Sequence, residues 1–460
     1  MRARLALAVV WAAIFGAWAF EGRARLQAQP APAGLTLALT GDSIITRKLS
    51  VYTEPSFTRL IALVRGADVA FTNIEMLFHD YEMFPMNESG GTYMRAEPAL
   101  AKELAWAGFD LGSLANNHTG DYGAAGMRLT KKYVAEAGIV AAGVGESLPE
   151  AREAKFLETA KGRIALVAVA STFPDHSRAG TTRGDVPARP GLSPLRFTTT
   201  YVVTPERFAQ LRLAAGEVTG RPPAAGDTLT FVGRRFVAGP EPGVRTEPNA
   251  ADLREIAAVV RSAATLADYV VVTIHAHESG RGGITEPAMF LPAFAHAMID
   301  AGADAFVGHG PHVLRGIEIY KGRPIFYSLG DFIFQNETLL RYPTDNYEEQ
   351  RLGVDAQPND YLNRRYDFDK AGFPADRLIW ESVVALPRFD GDRLAELALH
   401  PIGLGFGQPR QVRGRPLLAD PALAQKILGD VARLSAPFGT RLDVRDGVGY
   451  VDLSGAAPRP

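Results

Sequence analysis

Cysteine is absent from the 460 residues, which removes disulfides, thiolate metal ligands, a thiol nucleophile and a lipidated cysteine together. Any metal chemistry must then rest on His, Asp, Glu and Asn. A surplus of charge is missing too: 49 Lys+Arg stand against 51 Asp+Glu. The chain lacks the basic surface on which phosphate-backbone binding depends, so no nucleic acid is expected as a partner. There is no internal repeat and no charge block. Long apolar runs are scarce. The one that stands out, Leu5–Phe20, follows Arg2 and Arg4 and precedes the polar run Glu21–Gln29. That is the layout of an export signal, with Ala17-Trp18-Ala19 as a cleavage site. Its length is close to the lower limit of a membrane span, so an uncleaved N-terminal anchor is the alternative. Either way the body is expected in the periplasm or on the extracellular face of the inner membrane, with membrane contact only through this segment.

What is present is a chain 47% apolar, enough for a large core. Residues 1–34 read as signal or anchor plus linker, and 35–455 as one α/β body. Five apolar strands each end in polar groups. Leu35–Thr40 alternates at period two and delivers Gly41-Asp42; Asp68–Thr72 delivers Asn73-Ile74-Glu75, whose first and last side chains share a face. Asp110–Ala115 delivers Asn116-Asn117-His118, with Asp121-Tyr122-Gly123 just beyond. Tyr269–Ile274 delivers His275-Ala276-His277-Glu278, and Ala305–Val307 delivers Gly308-His309-Gly310-Pro311-His312. Between and after them, periodicity predicts a buried strand over Arg163–Ala170 and helices over Glu97–Gly108, Ala124–Ala137, Ala250–Ala264, Pro292–Ala301 and Pro421–Ser435. The Gly-, Pro-, Thr- and Arg-rich stretch 171–248 reads as an insertion over the sheet edge, a substrate lid or a passive excursion, with a helix over Tyr201–Ala214 and a β element over Thr228–Val237. Residues 335–374 read as polar, aromatic loop. A C-terminal β/helix extension starts at about 376 with the hairpin Glu381–Leu386/Leu394–His400 and ends in a strand near Gly449–Leu453.

Ligands of open α/β sheets bind past the carboxyl ends of the strands. The five strand ends are therefore expected to converge on one or two divalent cations: Mn, Fe, Zn, Mg or Ca, rather than copper or an iron–sulfur cluster. Such ions activate water and clamp phosphoryl oxygens, and an imidazole such as His118 can protonate a leaving group, so phosphoester hydrolysis fits.

These same residues carry a family likeness. Thr40-Gly41-Asp42, Asn73-Ile74-Glu75, Leu114-Ala115-Asn116-Asn117-His118 with Asp121-Tyr122-Gly123, His275-Ala276-His277-Glu278, and Gly308–Glu318 with Tyr327-Ser328-Leu329-Gly330-Asp331-Phe332 resemble the bacterial capsule-synthesis CapA family, named for poly-γ-glutamate biosynthesis, within the calcineurin-like metallophosphoesterase superfamily. The resemblance spans about 36–335. It implies a four-layer α/β/β/α sandwich of two mixed sheets flanked by helices. It also implies metal ligands at Asp42, Glu75 (bridging), Asn117, His275, His309 and His312, with His118 as the acid. Asn73, Asn116, Asp121, His277, Glu278, Glu318 and Asp331 are the candidates for supporting those ligands or touching substrate. This sequence departs from the pattern in three places. The superfamily's D-x-H is Asp42-Ser43-Ile44, the first position of its H-x-H is Gly310, and HAHE replaces HWG-x-E; His277 or Glu318 is the candidate substitute. The implied substrate is an anionic polymer or phosphoester, met alongside capsule synthase or export membrane proteins. The alternatives are a non-catalytic accessory subunit of that machinery and a metal-dependent envelope amide hydrolase.

Overall fold

Period-two alternation makes Leu35–Ile44 a strand, and the larger of two sheets is assembled around it. The computed structural model describes residues 34–455, residue 224 excepted; the expected export segment lies outside the described residues. Among those described, no helix is long and apolar enough to cross a membrane.

On one side, Leu35–Ile44 pairs in parallel with Val69–Ile74, which is followed by Leu111–Ser113 and Val140–Ala142. On the other side its partner changes along its length. The first half pairs antiparallel with Glu381–Asp390, and the second half pairs in parallel with Asp331–Phe334. The register shifts on both sides next to Asp42, a bulge that re-aims this side chain at the strand's end. Hairpin Glu381–Asp390/Arg393–Gly403 and the strands Val448–Val451 and Leu442–Arg445 complete this ten-stranded sheet, with Leu417–Leu418 beside Arg393–Gly403.

The second sheet has six strands. Gly162–Ala170, Tyr269–His275, Ala305–His309 and Arg323–Phe326 run parallel, bordered by the antiparallel edges Lys155–Thr159 and Ile317–Tyr320. Its strands are apolar on both faces because both faces are buried. Ile164, Leu166, Ala168, Val271 and Val307 share a core with Leu39 and Phe71 of the larger sheet. The alternate residues Ala165, Val167, Val169, Val270, Val272 and Phe306 pack against the helices Ala250–Leu266 and Phe290–Ala301. Helices Pro55–Arg65, Ala101–Ala107, Gly123–Glu136 and Pro421–Ser435 join the larger sheet's core. The four-layer α/β/β/α order expected from the sequence is what forms.

Three expectations need correction. Tyr201–Ala214 is not one helix: Phe197–Val203 is a strand and Pro205–Thr219 the helix, Pro205 at N1 and Thr204 capping it. The β-branched and aromatic run before the proline wins over the helical period. With Thr228–Phe231, Arg234–Ala238 and Gly243–Pro248, that strand forms a separate four-stranded sheet within the 171–248 insertion. Residues 335–374 are not purely loop, since they hold short helices at Thr344–Glu349 and Pro358–Arg365. Finally, Glu318 faces away from the other strand ends, at the edge of the smaller sheet, where it accepts bonds from His296 (2.9 Å) and Tyr327.

Candidate metal centre

Sheet register does much of the assembly. His275 lies directly opposite His309 on neighbouring parallel strands, and Asp42 opposite Asn73 on one side and Asp331 on the other. The two sheets then bring these pairs face to face. Asp42, Glu75, His275 and His309 are fully buried, and Asn117, His118 and His312 nearly so. Three groups of ligand atoms, Asp42/His275/His309, Glu75/His275/His277 and Asp42/Glu75/His312, each fall within 4.8 Å of one another.

Two motif glycines make room. A Cβ on Gly41 would lie 1.8 Å from the carbonyl oxygen of Gly330, whose oxygen accepts the Asp42 N–H at 3.0 Å. Gly310 has φ +119°, in the region that favours glycine, and its N–H donates to Asp42 Oδ2 at 2.9 Å. A Cβ there would lie 3.3 Å from Cδ2 of His277. The His277 imidazole thus fills the space beside position 310, where the sequence departs from the expected H-x-H. Its Nε2 sits 2.9 Å from Nε2 of His275. At the other departure, Ile44 is 1% exposed within the apolar core and supplies no donor.

The hydrogen bonds behind the imidazoles set which nitrogen each one presents. Thr273 Oγ1 donates to the Val307 carbonyl (2.9 Å) and so accepts from His309 Nε2 (2.8 Å). His309 Nδ1 is left with a lone pair aimed at Asp42 Oδ1 (3.2 Å) and His275 Nδ1 (3.1 Å). His312, a non-glycine residue at φ +61°, gives its Nδ1 proton to Asp331 at 2.9 Å. His118 gives its Nδ1 proton to Asp121 at 2.8 Å, which leaves Nε2 3.7 Å from Glu75 Oε1. Asn117 Nδ2 donates to the Gly90 carbonyl (2.8 Å), so its amide oxygen is turned away from that bond and has no partner. Asn116 is a brace, donating to the Ile74 carbonyl and accepting from the His118 N–H. Glu278 accepts from Ser171 and Thr172 beneath the His275–His277 turn.

Charge inside this cluster is unevenly held. Burial alone would raise Asp42, but protonated His275 and His309 rings, by bond and by charge, outweigh it and hold the carboxyl well below its usual range. Burial, with Asp42, Asp331 and Asp121 nearby, drives Glu75 well above its own; neither of its oxygens finds a hydrogen-bond donor. Burial lowers His275 to about 4 against the pull of Asp42. It also lowers His277, helped by His275 and His312. Burial pushes Asp331 up to about 7 although His312 opposes it.

Facing lone pairs and a donorless buried carboxylate form groups that could hold a cation. The donor set of imidazoles, carboxylates and one amide suits Zn, Fe or Mn better than Ca. Of the residues singled out from the sequence, Asp42, Asn73, Glu75, Asn117, His118, Asp121, His275, His277, His309, His312 and Asp331 gather here; Glu318 does not. Sequence reasoning missed Thr273 and Arg315. Thr273 lies two residues before His275, so it shares that side chain's face of the strand, a detectable signal. Arg315 is fully buried with no ion-pair carboxylate among the described residues. Its guanidinium donates to the carbonyls of Ala276, His277, Glu278 and Ile284, holding the turn that presents His275 and His277.

Comparison with known proteins gives a consistent picture. A family model described as bacterial capsule synthesis protein PGA_cap matches residues 36–336. An uncharacterized protein, y4sH, of Sinorhizobium fredii is 41% identical over 434 residues, 91% of this chain and 93% of that protein. The capsule biosynthesis protein CapA of Bacillus anthracis is 25% identical over 307 residues, 65% of this chain and 60% of its own length. The PGA biosynthesis protein CapA of Bacillus subtilis is 27% identical over 313 residues, 65% of this chain and 63% of its own.

Proposed function

Because this chain belongs to the bacterial capsule synthesis protein family, we propose that it is an exported, metal-dependent phosphoesterase-type hydrolase acting in capsule or cell-envelope polymer metabolism. The observation that carries the reading is Glu75: a buried, donorless carboxylate among Asp42, His275, His277 and His312, with the His118–Asp121 pair aimed at it. Asp42, Glu75, His275, His309 and His312, with the Asn117 amide oxygen, would hold one or two divalent cations, and His277 takes the place of the ligand missing at position 310. When bound, such a cation supplies Lewis-acid polarisation of a phosphoryl oxygen and hydroxide near neutral pH.

The chain's own residues do the rest. Asp121 holds the His118 Nδ1 proton and the ring orientation, so that in its imidazolium form His118 gives the Nε2 proton to the leaving oxygen and keeps the Nδ1 proton on Asp121. Asn73 Nδ2 donates to Asp42 Oδ1 at 2.7 Å and steadies its charge. Asp331 keeps the His312 Nδ1 proton in place and His312 turned toward Asp42. Thr273 does the same for His309.

The test is metal stoichiometry and phosphodiester turnover by the purified mature chain loaded with Mn, Zn, Fe or Mg. Stoichiometric binding, with hydrolysis lost in folded Glu75→Ala and His275→Ala, supports the reading. Absence of metal under every loading condition overturns it. Metal without turnover reassigns the chain to a binding role in the polymer machinery.

A further inference from the structure

Residues 335–375 leave the Asp331–Phe334 strand beside the metal centre and return to it from the other side. Phe373 packs 5.4 Å from the His312 ring, and Tyr366 packs 6.2 Å from Phe373. Next to Tyr366, Arg365 ends the Pro358–Arg365 helix. Its Nη1 donates to Gly91 O (3.3 Å), Thr92 Oγ1 (2.7 Å) and Tyr361 OH (2.5 Å). The neighbouring Gly90 is pressed onto Asn117, so tightly that a Cβ would lie 2.9 Å from Asn117 Cγ. Arg365 therefore ties the segment that carries Phe373, against His312, to the loop that carries Gly90, against Asn117.

Two features of this guanidinium are unlike those of the chain's structural arginines. Arg95, Arg152, Arg323 and Arg413 are all more deeply buried and each is paired with a carboxylate. Arg365 is half-buried with no carboxylate in ion-pair range among the described residues. All three of its protein hydrogen bonds use Nη1, and the Nε–Nη2 edge is neither bonded nor sealed from solvent. That edge presents two parallel N–H groups, the geometry that grips a carboxylate or phosphate side-on. The aromatic faces of Tyr361 and Tyr366, 5.8 and 5.5 Å away, hold the guanidinium plane. A second cation of the same segment, Arg341, lies 4.9 Å over Tyr81 on the 79–95 loop, likewise with no carboxylate partner among the described residues.

We propose that Arg365 is an anion-recognition residue beside this site, taking a carboxylate or phosphate of the substrate on its open Nε–Nη2 edge. The inference rests on the hydrolase reading for the word substrate, but the subsite itself does not need a metal. It favours ligands that carry a carboxylate or phosphate over neutral ones.

The test uses the full mature chain, metal-free and metal-loaded, with three probes: a γ-linked glutamate pentamer, its side-chain-amidated neutral counterpart, and inorganic phosphate as competitor. Arg365→Gln should weaken pentamer binding roughly ten-fold or more and flatten its salt dependence, leave the weak binding of the amidated pentamer unchanged, and leave metal affinity unchanged. Arg365→Lys, which keeps the charge without the fork, should fall between. Phosphate that displaces the pentamer from the parent but not from Arg365→Gln identifies the shared anion contact. If phosphate alone binds through Arg365, the source is a phosphoester group. Equal pentamer affinity in parent and Arg365→Gln overturns the proposal, as does an equal loss for the amidated pentamer, which would mean that Arg365 only braces Gly91 and Thr92. No anion binding to the parent also overturns it. Because the contrast is read in metal-free protein, a chain that binds no metal still answers the question.

Discussion

Replacing Glu75 with Gln should make the metal-free protein more stable while abolishing its affinity for metal. In the metal-free fold the Glu75 carboxyl is fully buried, without a donor to either oxygen, and close to Asp42, Asp331 and Asp121, which drives its protonation range well above normal. Its folded value lies above the unfolded one, so the stability it contributes is complete below the unfolded carboxyl range, near pH 4, and drains away as pH rises toward the folded value. Each pH unit in that window costs about 1.4 kcal/mol. At about 2 cal/mol/K of unfolding entropy per residue over the described residues 34–455, that corresponds to about 1.5 °C of Tm per pH unit. Glutamine carries no charge to desolvate and can donate to Asp42, so its curve should lack this slope. The assay is thermal unfolding of EDTA-treated parent and Glu75→Gln between pH 4 and pH 8, repeated with saturating Mn²⁺ or Zn²⁺. The gap between the two should be small at acid pH, widen toward pH 8 in favour of the variant, and reverse when metal is added. A parent as stable as the variant at pH 8 without metal would refute the reasoning, because it would mean that Glu75 is satisfied without a cation.

Other outcomes follow from the same geometry. Asp331→Asn should flatten the metal-free stability profile between about pH 4 and pH 7: burial raises Asp331 to about 7, so the stability it contributes is present at low pH and lost as pH climbs through that value; denaturant midpoints across this range check it. Arg315→Met keeps the bulk but strands the carbonyls of Ala276, His277, Glu278 and Ile284, and should cost about 1–3 kcal/mol in urea unfolding, with faster amide exchange over 276–284. Gly41→Ala places a Cβ against the Gly330 carbonyl, a backbone atom that no side-chain rotation can move; a loss of about 3 kcal/mol is expected, and a Tm within 1–2 °C of the parent would contradict the close approach.

The strand ends were legible because the signal there is local. An apolar run that stops at a polar residue declares both the strand and what it presents, and Asp42, Glu75, Asn117, His275 and His309 all arrived this way. Glu318 closes the Gly308–Glu318 motif in the sequence, whereas in the fold it lies on the edge strand Ile317–Tyr320, where His296 and Tyr327 bond its carboxylate. Which of His277 and Glu318 stands beside position 310 could not be read from spacing; it is His277. That placement depends on two strands standing in register, so that the missing volume on one is next to a ring on the other. The helices within 335–374 escaped for a different reason. They are too short to show a period, and they are held in place by aromatic packing, such as Tyr342 against Tyr361 at 4.5 Å, rather than by an amphipathic stripe.

The change of partner along Leu35–Ile44 has a practical meaning for dissecting this protein. The match to the family model stops at residue 336, yet the half of this strand that precedes Asp42 is closed by Glu381–Asp390, from beyond that limit. A chain cut at 336 would keep every histidine of the candidate metal centre and still leave Leu35, Thr36 and Leu39 as an open, largely apolar sheet margin, which recruits other chains rather than water. The C-terminal hairpin is thus a molecular selvedge. Without it the strand that carries Asp42 would fray into self-association before its chemistry could be observed.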